Sequence, residues 1–178
     1  MTEELTISQS AYISLGTNLG DRMKNLMTAL RELESCAGIE LEDVSSIYET
    51  DPVGGEAGGK FLNAACSVRT GLKPRALLDL LEVIELKMGR TGKRECKPRV
   101  IDLDLLLHGD RRLREKGLVL PHPRLHERGF VLVPLCEIAP QAVHPVLEKR
   151  ICDILLDLGE VEGVRFYSRF PQKELVQG

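Results

Sequence analysis

Small and apolar residues run from Ala11 to Leu15 and stop at Gly16, Thr17, Asn18, Leu19, Gly20 and Asp21, which predicts a short strand entering a tight loop. Asp21 stands where a helix N-cap belongs. Behind it Met23, Leu26, Leu30, Leu33 and Ala37 recur at helical spacing, so a helix packed on a sheet is expected, ended by Gly38. The β-branched residues between Ile39 and Thr50 predict extended chain, interrupted by Asp51 to Gly59 with its four glycines and one proline, a lid-like loop. From Phe61 to Thr70 a period of two puts Phe61, Asn63, Ala65 and Ser67 on one face. Leu62, Ala64, Cys66 and Val68 fall on the other, which is the expected core face.

Pro74 suits the first turn of a second helix, with Leu77, Leu81, Ile84 and Met88 as its buried stripe and Gly89 as its stop. Val100 to Leu107 reads as a strand whose apolar face carries Ile101, Leu103, Leu105 and Leu107. Further on, Leu118 to Leu120 predicts a short strand and Pro121-His122-Pro123 a rigid turn. Arg124 to Ile138 predicts a helix broken around Pro134, and Ile151 to Leu158 a last helix. No repeat or low-complexity linker divides this pattern. It predicts one α+β domain over residues 1–178, with flexible ends at 1–9 and 165–178.

Composition narrows the picture. A chain of 178 residues with 43% hydrophobic and 29% charged side chains can bury a core without metal or disulfide staples. Its net charge of −3 argues against binding nucleic acid or anionic lipid by bulk charge, so any phosphate site is local. The five cysteines, Cys36, Cys66, Cys96, Cys136 and Cys152, show no CxxC spacing, and a reduced, cytoplasmic location is expected. The amino-terminal residues lack the pattern of a signal peptide, and no apolar run approaches a membrane span.

Candidate chemistry centres on Asp102-Leu103-Asp104. Alternation projects both carboxylates from one face of an otherwise apolar strand, where like charges raise each other's pKa unless a cation intervenes. Paired hard oxygen ligands suit Mg²⁺ shared with phosphate oxygens, although arginine pairing on an exposed sheet face would use the same two residues. Immediately upstream, Arg90 to Arg99 holds five basic side chains and one acid. By itself such a run is usually a solvated loop. Beside two carboxylates it favours phosphoryl transfer, with arginine stabilising charge on the moving group. His122, held between two prolines, is a candidate donor to phosphate or a structural turn residue, and His108, His126 and His144 show no zinc spacing. Phe61 and Asn63 share a strand face that could hold a flat polar ring, although core packing is the stronger local reading for scarce aromatics.

The ordered series of segments resembles the 6-hydroxymethyl-7,8-dihydropterin pyrophosphokinase family of folate biosynthesis. It runs through Ser14 to Gly20, Tyr48 to Gly54, Phe61 to Ala65, Gly89-Arg90, Pro98 to Leu106 and Leu120 to Leu135. The resemblance implies a ferredoxin-like α+β sandwich that transfers the terminal diphosphate of ATP to the pterin hydroxymethyl group and releases AMP. It implies two Mg²⁺ ions held by Asp102 and Asp104, catalytic roles for Arg90 and Arg99 on the triphosphate, and ATP contacts from Glu85, Leu105, His122 and Arg128. By the same resemblance Phe61 and Phe130 sandwich the pterin, Asn63 reads its polar edge, and Thr50 and Val53 line the pocket. A monomer is expected. The chain departs from the family pattern in the basic loop at Gly92, Cys96 and Lys97, which bears on loop closure. A Mg-dependent nucleotidyltransferase and a non-catalytic ligand-binding module are the alternatives, and the release of AMP separates the first from them.

Overall fold

The structure is a computed structural model that describes residues 8–52, 58–90 and 98–171. Strand β1 (Gln9–Thr17) leads through the loop to α1 (Arg22–Glu34), β2 (Ile39–Val44), β3 (Ile47–Thr50), β4 (Phe61–Thr70), α2 (Pro74–Lys87) and β5 (Asp102–His108). These elements make an antiparallel sheet in the order β3-β4-β1-β5, with β2 paired to the other half of β4. With β2 and β3 taken as one interrupted strand along β4, that is the β-α-β-β-α-β arrangement of the ferredoxin-like fold that the resemblance implies. The Asp21 carboxylate accepts the Lys24 N–H at 3.0 Å and caps α1. Pro74 opens α2 as expected, and the apolar stripes of both helices close over one face of the sheet. Ala37 falls outside α1 and is exposed, because the helix has already ended at Ser35.

The other face is also covered, which corrects the one-sided reading of β4. Helices α3 (Gly129–Ile138) and α4 (Ile151–Leu158) form a second core with Ala65, Leu106 and Leu107, so β4 is buried on both sides over most of its length. Leu107 therefore does not belong with Ile101, Leu103 and Leu105. The β1 to β5 register slips between Tyr12 and Ile13, pairing them with Leu107 and Leu105, and this bulge resets the alternation. Pro134 lies inside α3 rather than breaking it. The break comes at Arg128, between a single 3₁₀ turn at Leu125–Glu127 and α3. Proline in the second turn removes only the bond to the Phe130 carbonyl, and burial of its ring offsets that loss.

Four short strands escape the sequence pattern: β6 (Leu113–Glu115), which pairs with β7 (Leu118–Leu120), the ribbon of β8 (Val143–His144) with β9 (Lys149–Arg150), and β10 (Val164–Ser168). The last corrects the flexible carboxyl-terminal end, since β10 pairs with β3 and extends the main sheet. Gln9, likewise assigned to a flexible end, already pairs with Thr70. Cys136 and Cys152 are joined in a disulfide between α3 and α4, with Cα atoms 5.3 Å apart, against the expectation of reduced cysteines. Cys36 and Cys66 are free thiols. Among the described residues no helix is long and apolar enough to cross a membrane.

Candidate active site

A cleft of about 330 Å³ opens where β1 and β3 end and where β4, β5 and α3 begin. Its floor follows from the sheet register. Gly16 lies opposite Asp102 and Ser14 opposite Asp104, so the two carboxylates have only small cross-strand neighbours. On its other side Gly16 faces Asn63 of β4. A Cβ at Gly16 would sit 2.9 Å from Asn63 Oδ1, so this position needs glycine for space rather than for backbone conformation.

One end of the cleft is a flat-ring environment. Phe61 and Phe130, both half-buried, line it together with Thr50 and Asn63. The Asn63 amide is 4% exposed, and its Nδ2 donates to Thr50 Oγ1 at 2.6 Å, which fixes the side chain and leaves Oδ1 on the Gly16 side. The Arg128 guanidinium sits 5.6 Å from the centre of the Phe130 ring.

The other end is ionic. Asp102 accepts from Arg90 Nη1 at 3.0 Å on one oxygen and from Arg99 Nη1 at 2.9 Å on the other. Arg90 also pairs with Glu85, a carboxylate 5% exposed that accepts the Leu103 N–H at 2.7 Å. Burial pushes the Glu85 carboxyl up to about 7 against the pull of that N–H and of Arg90. Burial, followed by the adjacent Asp102 charge, pushes Asp104 up to about 6, although Arg128, Arg90 and Arg99 draw it down. A carboxylate whose proton affinity is raised by burial and by a neighbouring carboxylate charge marks a site that favours a cation. Among the described residues no group of three or more His, Cys, Asp or Glu could complete a metal shell. The donors therefore suit a hard cation that takes its other ligands from phosphate and water, as Mg²⁺ does, rather than zinc.

His122 lines a neighbouring cleft of about 410 Å³ instead. Burial and the Arg128 charge lower its pKa to about 4, so it is neutral at pH 7. Its Nδ1 accepts the Arg124 N–H at 3.2 Å, which assigns the proton to Nε2 as a neutral donor. Leu105 is 4% exposed, with its side chain in the first core rather than in the cleft. Val53, Gly92, Cys96 and Lys97 lie outside the described residues, as do most of the two loops that the sequence pattern set apart. Thr50, Phe61, Asn63, Arg99, Asp102, Asp104, Arg128 and Phe130 thus share one cleft, with Arg90 and Glu85 behind Asp102.

Sequence reasoning missed Asn18. Its N–H donates to the Arg99 carbonyl at 3.1 Å, and its Oδ1 accepts the Arg99 N–H at 2.7 Å, so a reciprocal pair fixes the backbone that carries Arg99. Asn18 read only as a turn former, and nothing local connects it with a partner 81 positions away. Gly129 and Asp51 also line the cleft without having been singled out.

Residues 12–140 match the family described as 7,8-dihydro-6-hydroxymethylpterin-pyrophosphokinase. A 2-amino-4-hydroxy-6-hydroxymethyldihydropteridine pyrophosphokinase of Bacillus subtilis is 47% identical over 159 residues, covering 89% of this chain and 90% of that one. The folic acid synthesis protein fol1 of Schizosaccharomyces pombe is 38% identical over 175 residues. That match takes in 98% of this chain, which spans only 24% of the fission yeast protein. Among solved structures, wild-type Plasmodium falciparum HPPK-DHPS superposes with a TM-score of 0.66 at 17% identity, over 84% of this chain and 44% of that one. That likeness concerns the fold.

Proposed function

Since the chain belongs to the 7,8-dihydro-6-hydroxymethylpterin-pyrophosphokinase family, we infer that it transfers the β,γ-diphosphate of ATP to the hydroxymethyl group of 6-hydroxymethyl-7,8-dihydropterin. AMP is released, and the product serves folate biosynthesis. One observation carries the reading: a single cleft joins a flat-ring end, Phe61, Asn63 and Phe130, to an ionic end, Asp102, Asp104, Arg99 and Arg128. The reaction needs these two environments side by side, because the acceptor is a planar heterocycle and the donor a polyanion.

In this reading Phe61 and Phe130 hold the ring and Asn63 fixes its orientation through the amide oxygen left beside Gly16. That orientation points the hydroxymethyl group along the cleft toward the carboxylates and sets up in-line attack at the β-phosphorus without a covalent enzyme intermediate. Arg90, Arg99 and Arg128 supply positive charge for the phosphate oxygens, and Glu85 holds Arg90 while it does so. Neutral His122 offers its Nε2–H to a phosphate oxygen without adding charge. Asp102 and Asp104 would hold two Mg²⁺ ions, which when bound neutralise the triphosphate and favour departure of AMP. Arg90 donates to one Asp102 oxygen and Arg99 to the other, and a carboxylate oxygen has lone-pair capacity for a cation beside such a donor.

A coupled assay tests this directly. AMP should appear in step with consumption of the reduced pterin, and only with Mg²⁺ present. Release of free pyrophosphate would assign a nucleotidyltransferase instead, and pterin binding without any AMP would assign a binding module. The proposal includes a monomer, read as one species of 19.8 kDa in sedimentation, and a cytoplasmic location. The free thiols of Cys36 and Cys66 support a reducing compartment, whereas the Cys136–Cys152 bridge runs against it.

A further inference from the structure

Glu137 lies outside the cleft, near the far end of α3, and its carboxylate joins that helix to the sheet. One oxygen, Oε1, accepts both the Ser46 N–H at 3.0 Å and the Ser46 hydroxyl at 2.8 Å. The other, Oε2, accepts the Tyr48 hydroxyl at 2.7 Å. The sheet creates the need for this contact. Strand β4 pairs first with β3, at Asn63 with Tyr48, and then with β2, at Cys66 with Val44. Ser45 and Ser46 lie in the interruption, where Ser45 pairs with Ala65 but the Ser46 N–H has no strand to meet. Ser46 is 7% exposed, so its donors require an acceptor from the protein.

The geometry ties this junction to the cleft. Phe130 and Glu137 are seven residues apart, two turns, and so lie on one face of α3 about 10 Å apart along its axis. Tyr48 and Thr50 are two residues apart and project from the same face of β3, the one opposite Ile47 of the first core. The helix face that presents Phe130 is therefore pinned at its far end to the strand face that presents Thr50. Thr50 in turn holds Asn63. The pinning is strong for a partly exposed contact: the hydrogen bonds from Tyr48 and Ser46 keep the Glu137 carboxyl below its usual range even though burial acts to raise it. On the other side, burial and the bond to Glu137 push the Tyr48 hydroxyl up to about 12.

We propose that Glu137 is a positioning residue for the pterin pocket, setting the spacing between the wall that carries Phe130 and the wall that carries Thr50 and Asn63. The inference rests on the pyrophosphokinase reading above and touches only its acceptor half. The ionic end takes Asp102, Asp104, Arg90 and Arg99 from outside α3, and Arg128 alone stands on that helix, at its opposite end from Glu137.

The test compares wild type with Glu137→Ala, Glu137→Gln and Tyr48→Phe, measuring KM for pterin and for ATP, kcat, thermal midpoint, and direct pterin binding by ligand fluorescence. Wild-type turnover establishes the underlying reading, and its absence overturns that reading rather than the clamp. With turnover present, Glu137→Ala should raise the pterin KM and Kd about fivefold to tenfold while leaving the ATP KM within about twofold. Glu137→Gln keeps an acceptor for Ser46 and should recover most of the loss, and Tyr48→Phe should fall between them. An unchanged pterin Kd in a folded Glu137→Ala protein overturns the proposal, as does a parallel rise in ATP KM. If Glu137→Ala does not fold, Tyr48→Phe decides by the same criterion, since it removes one hydroxyl from a partly exposed site.

Discussion

Replacing Gly16 with alanine tests the floor of the cleft with a single methyl group. The new Cβ would stand 2.9 Å from Asn63 Oδ1 and 3.9 Å from Phe61 Cδ1. An ordinary carbon to oxygen contact is about 3.3 Å or more, so the amide must retreat by about half an ångström. It has little room to do so, because Asn63 is 4% exposed and its Nδ2 is tied to Thr50 at 2.6 Å. Stretching that buried bond, or leaving one partner unmet, costs about 1–3 kcal/mol. The same displacement moves the amide proposed to read the pterin edge. A loss of about 1.5–2 kcal/mol in pterin binding corresponds to a KM increase of about tenfold to thirtyfold. ATP KM should change less than about twofold, because Asp102 and Asp104 keep their arginines. Gly16 has no left-handed backbone to protect, and restriction of the unfolded chain by alanine returns only about 0.4–1 kcal/mol, so the thermal midpoint should fall by a few degrees while the protein stays folded. Steady-state kinetics with each substrate varied in turn, beside a melting curve, reads all three quantities. A pterin KM within twofold of wild type would show that Asn63 is not held against the floor of the pocket, and an equal rise in ATP KM would show general distortion instead.

The carboxylates should be needed for turnover rather than for folding. Asp102→Asn and Asp104→Asn are each expected to lower kcat at least about a hundredfold with the melting curve preserved, and near-normal kcat in both would remove them from the reaction. Arg99→Ala should lower kcat about a hundredfold and leave the pterin Kd within twofold, as equilibrium binding can check; a defect confined to pterin binding would contradict its place at the ionic end. His122 gives a pH signature. Its folded pKa of about 4 lies below the ordinary value of 6.5, so between those values the unfolded chain binds the extra proton. Wild-type stability relative to His122→Gln is therefore full above pH 6.5 and declines as pH falls toward 4, by up to about 3 kcal/mol. Urea melts of both proteins at pH 7 and pH 4.5 measure it, and a constant difference would show that His122 is not buried as neutral imidazole.

Elements with a strong local period were legible in the sequence. Helices α1 and α2 declared themselves by stripes and punctuation, and β5 by two aspartates in an apolar run. What failed was non-local. The second covered face of β4 depends on α3 and α4, which lie more than sixty positions away, and the bulge that moves Leu107 exists only in the pairing with β1. Strand β10 is largely exposed, with Phe166 at 62%, so it carried no alternating signal. In the site, composition and spacing reached Asp102, Asp104 and the arginines. The strand period set Phe61 and Asn63 on one face as a candidate ring surface, whereas Phe130 came only through the family resemblance, since scarce aromatics read as core. Asn18 and Glu137 act across 81 to 91 positions, through contacts that no local pattern encodes.

The position of β10 bears on how such a domain can be joined to others. Its backbone pairs Val164 with Thr50, and the turn before it packs on both cleft walls: Val161 leaves no room for a side chain at Gly129, and the Gly163 carbonyl accepts the Asp51 N–H. A fusion junction cut upstream of Ser168 would thus remove a strut of the cleft, and one cut between Ser168 and Phe170 would still strip a buried side chain from the first core. For an engineer building a tethered pair of enzymes, a linker has to begin beyond Phe170, the last side chain among the described residues that enters the first core.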